Sequence, residues 1–205
     1  MTVKKEFDFS QNLVLEDDTV LLRPLQHSDF ENLLYFALSE PEIWTFSSIA
    51  ASGSENLKNY INLAIQAREN KTEFPFIVID KKTGRYAGST RFYDINFPFS
   101  SLQLGYTWYG KDFQGTGLNK HCKFLMLQFA FEVLKMERVE FRADSNNAKS
   151  IAAMKSIGCQ VEGILRSHMP KPNSDDRRDS IILSILKNEW EEGARQRLLD
   201  KINNK

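Results

Sequence analysis

The sequence is poor in most of the features that assign a protein quickly. Only two of its 205 residues are cysteine, Cys122 and Cys159. They stand in apolar surroundings with no pairing or metal-ligand spacing, so they read as buried free thiols and suit a reduced, cytoplasmic setting. Charge of one sign is lacking: Lys+Arg and Asp+Glu are 27 each. Without a basic excess or stripe, nucleic acid is not expected as a direct partner. No apolar run reaches membrane-spanning length, and Met1 to Ser10 is charged and lacks the apolar core of a signal peptide, so no membrane partner is expected either. The three histidines, His27, His121 and His168, are scattered; no metal site is expected, and His121 reads as a surface residue.

What is present is concentrated between Leu102 and Phe131. Leu102, Leu104, Tyr106 and Trp108 alternate with Gln103, Gly105, Thr107 and Tyr109, the two-residue period of a strand. Past a polar turn with Gly115 and Gly117, the residues Leu118, Cys122, Leu125, Phe129 and Val133 keep the spacing of a helix face. Strand, glycine loop, helix is the arrangement in which backbone N–H groups at a helix start hold a phosphate. Two common phosphate loops are excluded, because no Lys-Ser or Lys-Thr follows Gly117 and the spacing is not G-x-G-x-x-G.

Around this stretch the chain reads as one domain with appendages. Residues 1–18 form a polar arm anchored by Phe7, Phe9, Leu13 and Leu15. Thr19 to Leu25 is a first strand. Ser28 and Glu31 have capping-box spacing for a helix that buries Phe30, Leu33, Leu34 and Leu38 and stops at Pro41; Ser52 and Glu55 repeat the signature before a helix with Leu57, Ile61, Ala64 and Ile65 inside. Phe74 to Asp80 and Tyr86 to Ile95 form a hairpin. Arg138 to Ala143 is a strand, Ala148 to Ile157 a helix closed by Gly158, and Val161 to Met169 pairs with Ser180 to Leu186 across the loop Lys171–Asp179. Asn188 and Glu191 cap a last helix with Trp190, Leu198 and Leu199. This order predicts an α/β fold of the α+β type, a mixed, mostly antiparallel sheet of about seven strands with helices on both faces. The domain spans 19–192, and 193–205 is a helical tail.

Together, that order and three local signatures resemble the GCN5-related N-acetyltransferase superfamily, in its branch similar to ribosomal-protein N-terminal (RimJ/RimL-like) acetyltransferases. The first is Gln114-Gly115-Thr116-Gly117-Leu118-Asn119, which is similar to the family's acetyl-CoA pyrophosphate loop except that Asn119 stands where Gly or Ala is usual. The second is Asn147-Ala148-Lys149-Ser150 opening a helix that closes at Gly158, with Cys159 in place of the family's Phe. The third is Glu162-Gly163, followed by Arg178-Asp179-Ser180 and Glu189-Trp190. The resemblance covers about residues 14–192. It implies that acetyl-CoA, the cosubstrate, lies where the sheet splays at a bulge. Backbone groups of Tyr106, Thr107 and Trp108 would pair with the pantetheine, the amides from Gly115 to Asn119 would take the pyrophosphate, and Asn147 would reach in from the other side. Gln114, Thr116 and Leu118 complete the loop.

Acyl transfer from a thioester needs a neutral amine, a place for the oxyanion and a proton for the leaving thiolate. Many relatives supply that proton from a tyrosine whose position here is Met154. The resemblance gives the role to Ser150, and Glu162 is the acidic candidate to receive the amine. Arg91, Tyr93 and Trp44 fall on segments bordering the acceptor side. The expected activity is acetylation of a primary amine, first of all a protein N-terminal α-amine. Two alternatives stand beside it: acetylation of a small amine such as a polyamine, amino sugar or antibiotic, or a catalytically weak acyl-CoA-binding module, which Met154 keeps open. Pairing of two copies through the sheet edge or the tail is left open.

Overall fold

The computed structural model describes residues 7–171 and 175–204. At its centre is one sheet with strand order β1-β2-β3-β4-β5-β6-β8-β7. The strands are β1 (Leu15–Glu16), β2 (Val20–Pro24), β3 (Phe74–Asp80), β4 (Arg85–Asn96), β5 (Ser101–Tyr109), β6 (Arg138–Asp144), β7 (Gln160–Pro170) and β8 (Arg177–Leu186). All neighbours pair antiparallel except β5 and β6, which run parallel. The count exceeds the expected seven by β1, whose two residues are too few to show a period.

The helices are α1 (Phe30–Ser39), α2 (Ser54–Glu69), α3 (Leu118–Gln128), α4 (Ala148–Ser156), the short α5 (Lys187–Glu189) and α6 (Arg195–Asn203). One face of the sheet carries α1 and α2: Phe36 meets Trp108 edge-on at 5.7 Å, and Tyr60 approaches the Ser89 hydroxyl at 3.5 Å. The other carries α3, past whose end Phe129 stacks on Phe92 at 6.2 Å, and α6 packs beside α3. Fully buried Leu22, Phe74, Phe76 and Phe92 fill the space between. Each such side chain stabilises the fold by about 1.5–3 kcal/mol relative to exposure. Phe7 and Phe9 of the amino-terminal stretch join this core, with Phe7 at 5.2 Å from Phe74.

Several local expectations change. Asp29, not the Ser28 and Glu31 pair, holds the start of α1: its buried carboxylate accepts from the Gln26 N–H at 2.9 Å and from Arg23 at 2.6 and 2.9 Å. Leu38 is 60% exposed, and Phe36 and Ala37 are buried in its stead. Gly53 precedes α2 without the side-chain cap expected from Ser52 and Glu55. Glu189 accepts from the Leu186 N–H at 2.8 Å, replacing the Asn188 and Glu191 pair. Val133 is 61% exposed because the helix after α3 widens into a π turn over Phe129–Val133, which rotates the next residues off the 3.6-residue face. The loop after β7 is shorter than expected, since β8 begins at Arg177; its residues 172–174 lie outside those described.

Candidate functional site: a notch in the central sheet

β5 and β6 are paired only through Ser101 with Arg138, Leu102 with Val139 and Gln103 with Glu140. From there on β5 pairs only with β4, and β6 only with β8. Two central strands thus part and leave facing edges of backbone N–H and C=O groups, which buried sheets ordinarily pair. Gly105, Tyr106 and Thr107 are partly exposed in the middle of the sheet, which marks the opening.

A bulge opens it. Tyr106 has φ +49°, a left-handed conformation rare for a bulky residue, and the pairing of β4 with β5 skips between Ser89–Trp108 and Arg91–Gly105. One extra residue reverses the alternation beyond it. Leu102, Leu104 and Thr107 therefore face α3, whereas Gly105, Tyr106 and Trp108 face α1 and α2. The simple alternation read from the sequence breaks at this point.

Past β5 the chain turns through the loop to α3. Gly115 has φ +78° and Gly117 φ +95° with ψ −17°, backbone that a side chain would strain by about 1–2 kcal/mol. A Cβ built at Gly115 would meet nothing within 4 Å, so the loop fronts open space. Thr116 braces it, accepting from the Leu118 N–H at 3.3 Å and donating to Phe113 O at 2.9 Å. The Gln114 side chain is occupied in holding the loop: it donates to Tyr109 O at 2.7 Å and accepts from Lys149 of α4, which ties the two lips of the notch together. At Asn119 the side-chain oxygen is buried without a hydrogen-bond partner among the described residues.

The opposite lip is the start of α4. Asn147 caps it, its side-chain oxygen accepting from the Ser150 N–H at 3.0 Å. Met154 is buried one turn further on. Facing α1 and α2, Arg91 is 1% exposed, bonded to Glu73 at 2.6 Å and sandwiched by the rings of Tyr106 at 4.3 Å and Tyr60 at 4.9 Å. Its Nε and Nη2 have no hydrogen-bond partner among the described residues. Tyr93 packs edge-on against Tyr106 at 5.0 Å, and burial pushes its hydroxyl well above the usual phenol range. Trp44 is buried against Trp108 at 5.0 Å. Near the β7 and β8 ends, His168 shares the Ser180 hydroxyl at 2.9 Å with Arg178 at 3.0 Å, and burial together with Arg142, Arg178 and Arg177 lowers its affinity for a proton.

The structure gives the position of Glu162 and corrects the surface reading of His121. Glu162 is bonded to Arg138 and to the Ser184 hydroxyl, at the level where β5 and β6 are still paired. The Arg138 bonds hold its carboxyl below the ordinary range, so it is a charged ion-pair partner away from the opening. His121 is buried and joined to Asp17 at 2.7 Å, not exposed. The residue that the sequence reading missed is Lys123. It is 5% exposed, and its ammonium donates to Thr107 Oγ1 at 2.7 Å and Thr90 Oγ1 at 3.2 Å. Its position four residues after Asn119 and directly beside buried Cys122 was the available signal. Among the described residues no helix is long and apolar enough to cross a membrane.

Comparison with known proteins gives one consistent outcome. The family model for the acetyltransferase (GNAT) domain matches residues 19–160. The uncharacterized N-acetyltransferase p20 of Bacillus licheniformis is 24% identical over 181 residues, 86% of this chain and 97% of that protein. YdaF of Bacillus subtilis (strain 168), a candidate ribosomal N-acetyltransferase, is 30% identical over 108 residues, 53% of this chain and 57% of that protein. A solved candidate acetyltransferase from T. thermophilus superposes with a TM-score of 0.83 at 30% identity, covering 94% of this chain and 98% of that one.

Proposed function

The chain belongs to the GNAT acetyltransferase family and is an acetyl-CoA-dependent N-acetyltransferase, and on that premise we propose that its acceptor is a protein N-terminal α-amine. In this reading the edge of Tyr106, Thr107 and Trp108 pairs with the pantetheine and the amides from Gly115 to Asn119 hold the pyrophosphate. Gln114, Thr116 and Leu118 keep that loop in shape, and Asn147 fixes the opposing helix start that carries Ser150. The observation that supports this placement of the cosubstrate is the continuity of the unpaired β5 edge with a left-handed glycine loop and a helix start. Hydrogen-bonding edge and anion site lie end to end, as a pantetheine pyrophosphate requires.

Chemistry favours an α-amine acceptor. Its pKa of about 7.7–8 leaves part of it neutral at physiological pH, whereas lysine, at about 10.4, needs a strong base. Charged groups on the acceptor side include Arg91 with its Glu73 partner, Arg142 with Glu140, Arg178, and Asp94, which accepts from the Gln103 amide at 2.8 Å. The likeness to a candidate ribosomal N-acetyltransferase also points to the α-amine. Calorimetric titration with acetyl-CoA, followed by thiol release over N-terminally free peptides and small amines, tests the reading. Binding with release on peptides supports it; release only on small amines overturns the acceptor.

A further inference from the structure

We propose that Lys123 supplies, through the Thr107 hydroxyl, the proton that the departing CoA thiolate needs. The inference rests on the acetyltransferase reading of the notch and accounts for the absence of a hydroxyl at Met154. Lys123 stands on α3 beneath the bulge, on the side opposite Arg91, and Thr107 is the residue where the buried amine reaches the open edge of β5. Thr107 Oγ1 receives the Lys123 proton donor at 2.7 Å and lies 2.8 Å from Thr90 Oγ1. A hydroxyl so placed accepts from the ammonium and turns its own proton toward the Gly105 carbonyl on the open edge at a long 3.4 Å, a weak bond that it can give up.

Among the described residues no acidic side chain pairs with this amine. The titratable groups acting on it are the thiols of Cys122 on its own helix and Cys159 beyond α4, both pushed up to about 12 by burial and hence neutral. His121, two residues before it, is turned to Asp17. From β4 and β5 it meets only the hydroxyls of Thr90 and Thr107. Burial lowers the Lys123 pKa from its ordinary value to about 7. A general acid is most effective when its pKa lies near the working pH.

The step balances without another reactant. The neutral acceptor nitrogen attacks the thioester carbonyl carbon, and the carbon–sulfur bond breaks. The sulfur takes the Thr107 hydroxyl proton, and the Thr107 oxygen takes one from the Lys123 ammonium. The proton lost by the acceptor nitrogen passes to solvent, from which Lys123 is reloaded. The products are an amide and the thiol. Thr107 is the group that touches substrate, and Lys123 positions and charges it.

The test uses the full chain with acetyl-CoA and hydroxylamine, an acceptor that stays neutral across the range, so that the pH profile reports the leaving-group proton alone. Wild-type turnover should fall as pH rises above about 7. Lys123→Met and Thr107→Val should each lose about 10²-fold or more in kcat and flatten the profile, with acetyl-CoA affinity by calorimetry changed less than about threefold. Thr107→Ser should retain the profile, and Met154→Tyr should restore Lys123→Met at least about tenfold. Independently of activity, the lysine 13Cε signal lost in Lys123→Met should titrate near neutrality in the free protein. A wild-type profile in Lys123→Met, a midpoint at the ordinary lysine value, or loss of the alkaline limb in Ser150→Ala in its place would overturn the proposal alone. Failure of the wild-type chain to bind acetyl-CoA would overturn it together with the reading of the notch.

Discussion

Gly117→Glu places a side chain and a negative charge where the pyrophosphate is expected. Gly117 sits at φ +95° at the entry to α3, and any L-residue there costs about 1–2 kcal/mol. For a chain of this size that lowers the melting temperature by about 2–8 °C and leaves the protein folded. The larger effect falls on the ligand. If two loop amides each contribute about 1.5–3 kcal/mol in charge-assisted bonds, their loss weakens acetyl-CoA binding by about 3–6 kcal/mol, or about 10²–10⁴-fold. Gly117→Ala carries the strain without the charge and should bind measurably better than the glutamate variant. Acetyl-pantetheine, which has no pyrophosphate, should bind wild type and Gly117→Glu alike. Calorimetry with both ligands reads the difference. Unchanged acetyl-CoA affinity in a folded Gly117→Glu protein would refute the placement of the anion.

Other residues give independent checks. Lys123 has its folded pKa lowered to about 7, so between about pH 7 and pH 10 the unfolded chain holds more protons and stability rises with pH. Lys123→Met should therefore be more stable than wild type by a few kcal/mol at and below about pH 7. Melts across pH should show that gain shrinking toward pH 10, and a constant difference would contradict the buried amine. Glu73→Gln leaves the Arg91 cation buried without its partner and should cost about 3–5 kcal/mol in urea unfolding; a loss below about 1 kcal/mol would mean that water reaches Arg91. Glu162→Gln removes a half-exposed ion pair with Arg138, so stability should change by no more than about 1 kcal/mol and turnover on peptide acceptors should hold. Collapse of turnover would return Glu162 to the site.

The legible part of the molecule was what periodicity and spacing encode. The hairpin, the strand before the glycine loop, α3 and the Asn147 cap all lie where local patterns put them, because each is decided by neighbours a few residues apart. Tertiary choices were not legible in that way. Nothing in the run from Leu102 to Trp108 announces that Tyr106 takes a left-handed conformation and sends Leu104 and Trp108 to opposite faces; that choice follows from pairing with β4. Asp29 displaced the expected cap because Arg23, on the preceding strand, makes its burial favourable. The positions of Glu162 and Lys123 depended on which strands stay paired and which part, and a lysine on a helix reads as exposed until the Thr90 and Thr107 hydroxyls are found beneath it.

The most direct test of the central claim is mass spectrometry of peptides treated with the protein and acetyl-CoA, each carrying a free N-terminus and an internal lysine, beside N-terminally blocked copies. The account predicts one acetyl group on the α-amine of the free peptides and none on the blocked ones. Acetylation of the lysine in both sets, or none in either while small amines are acetylated, would contradict it.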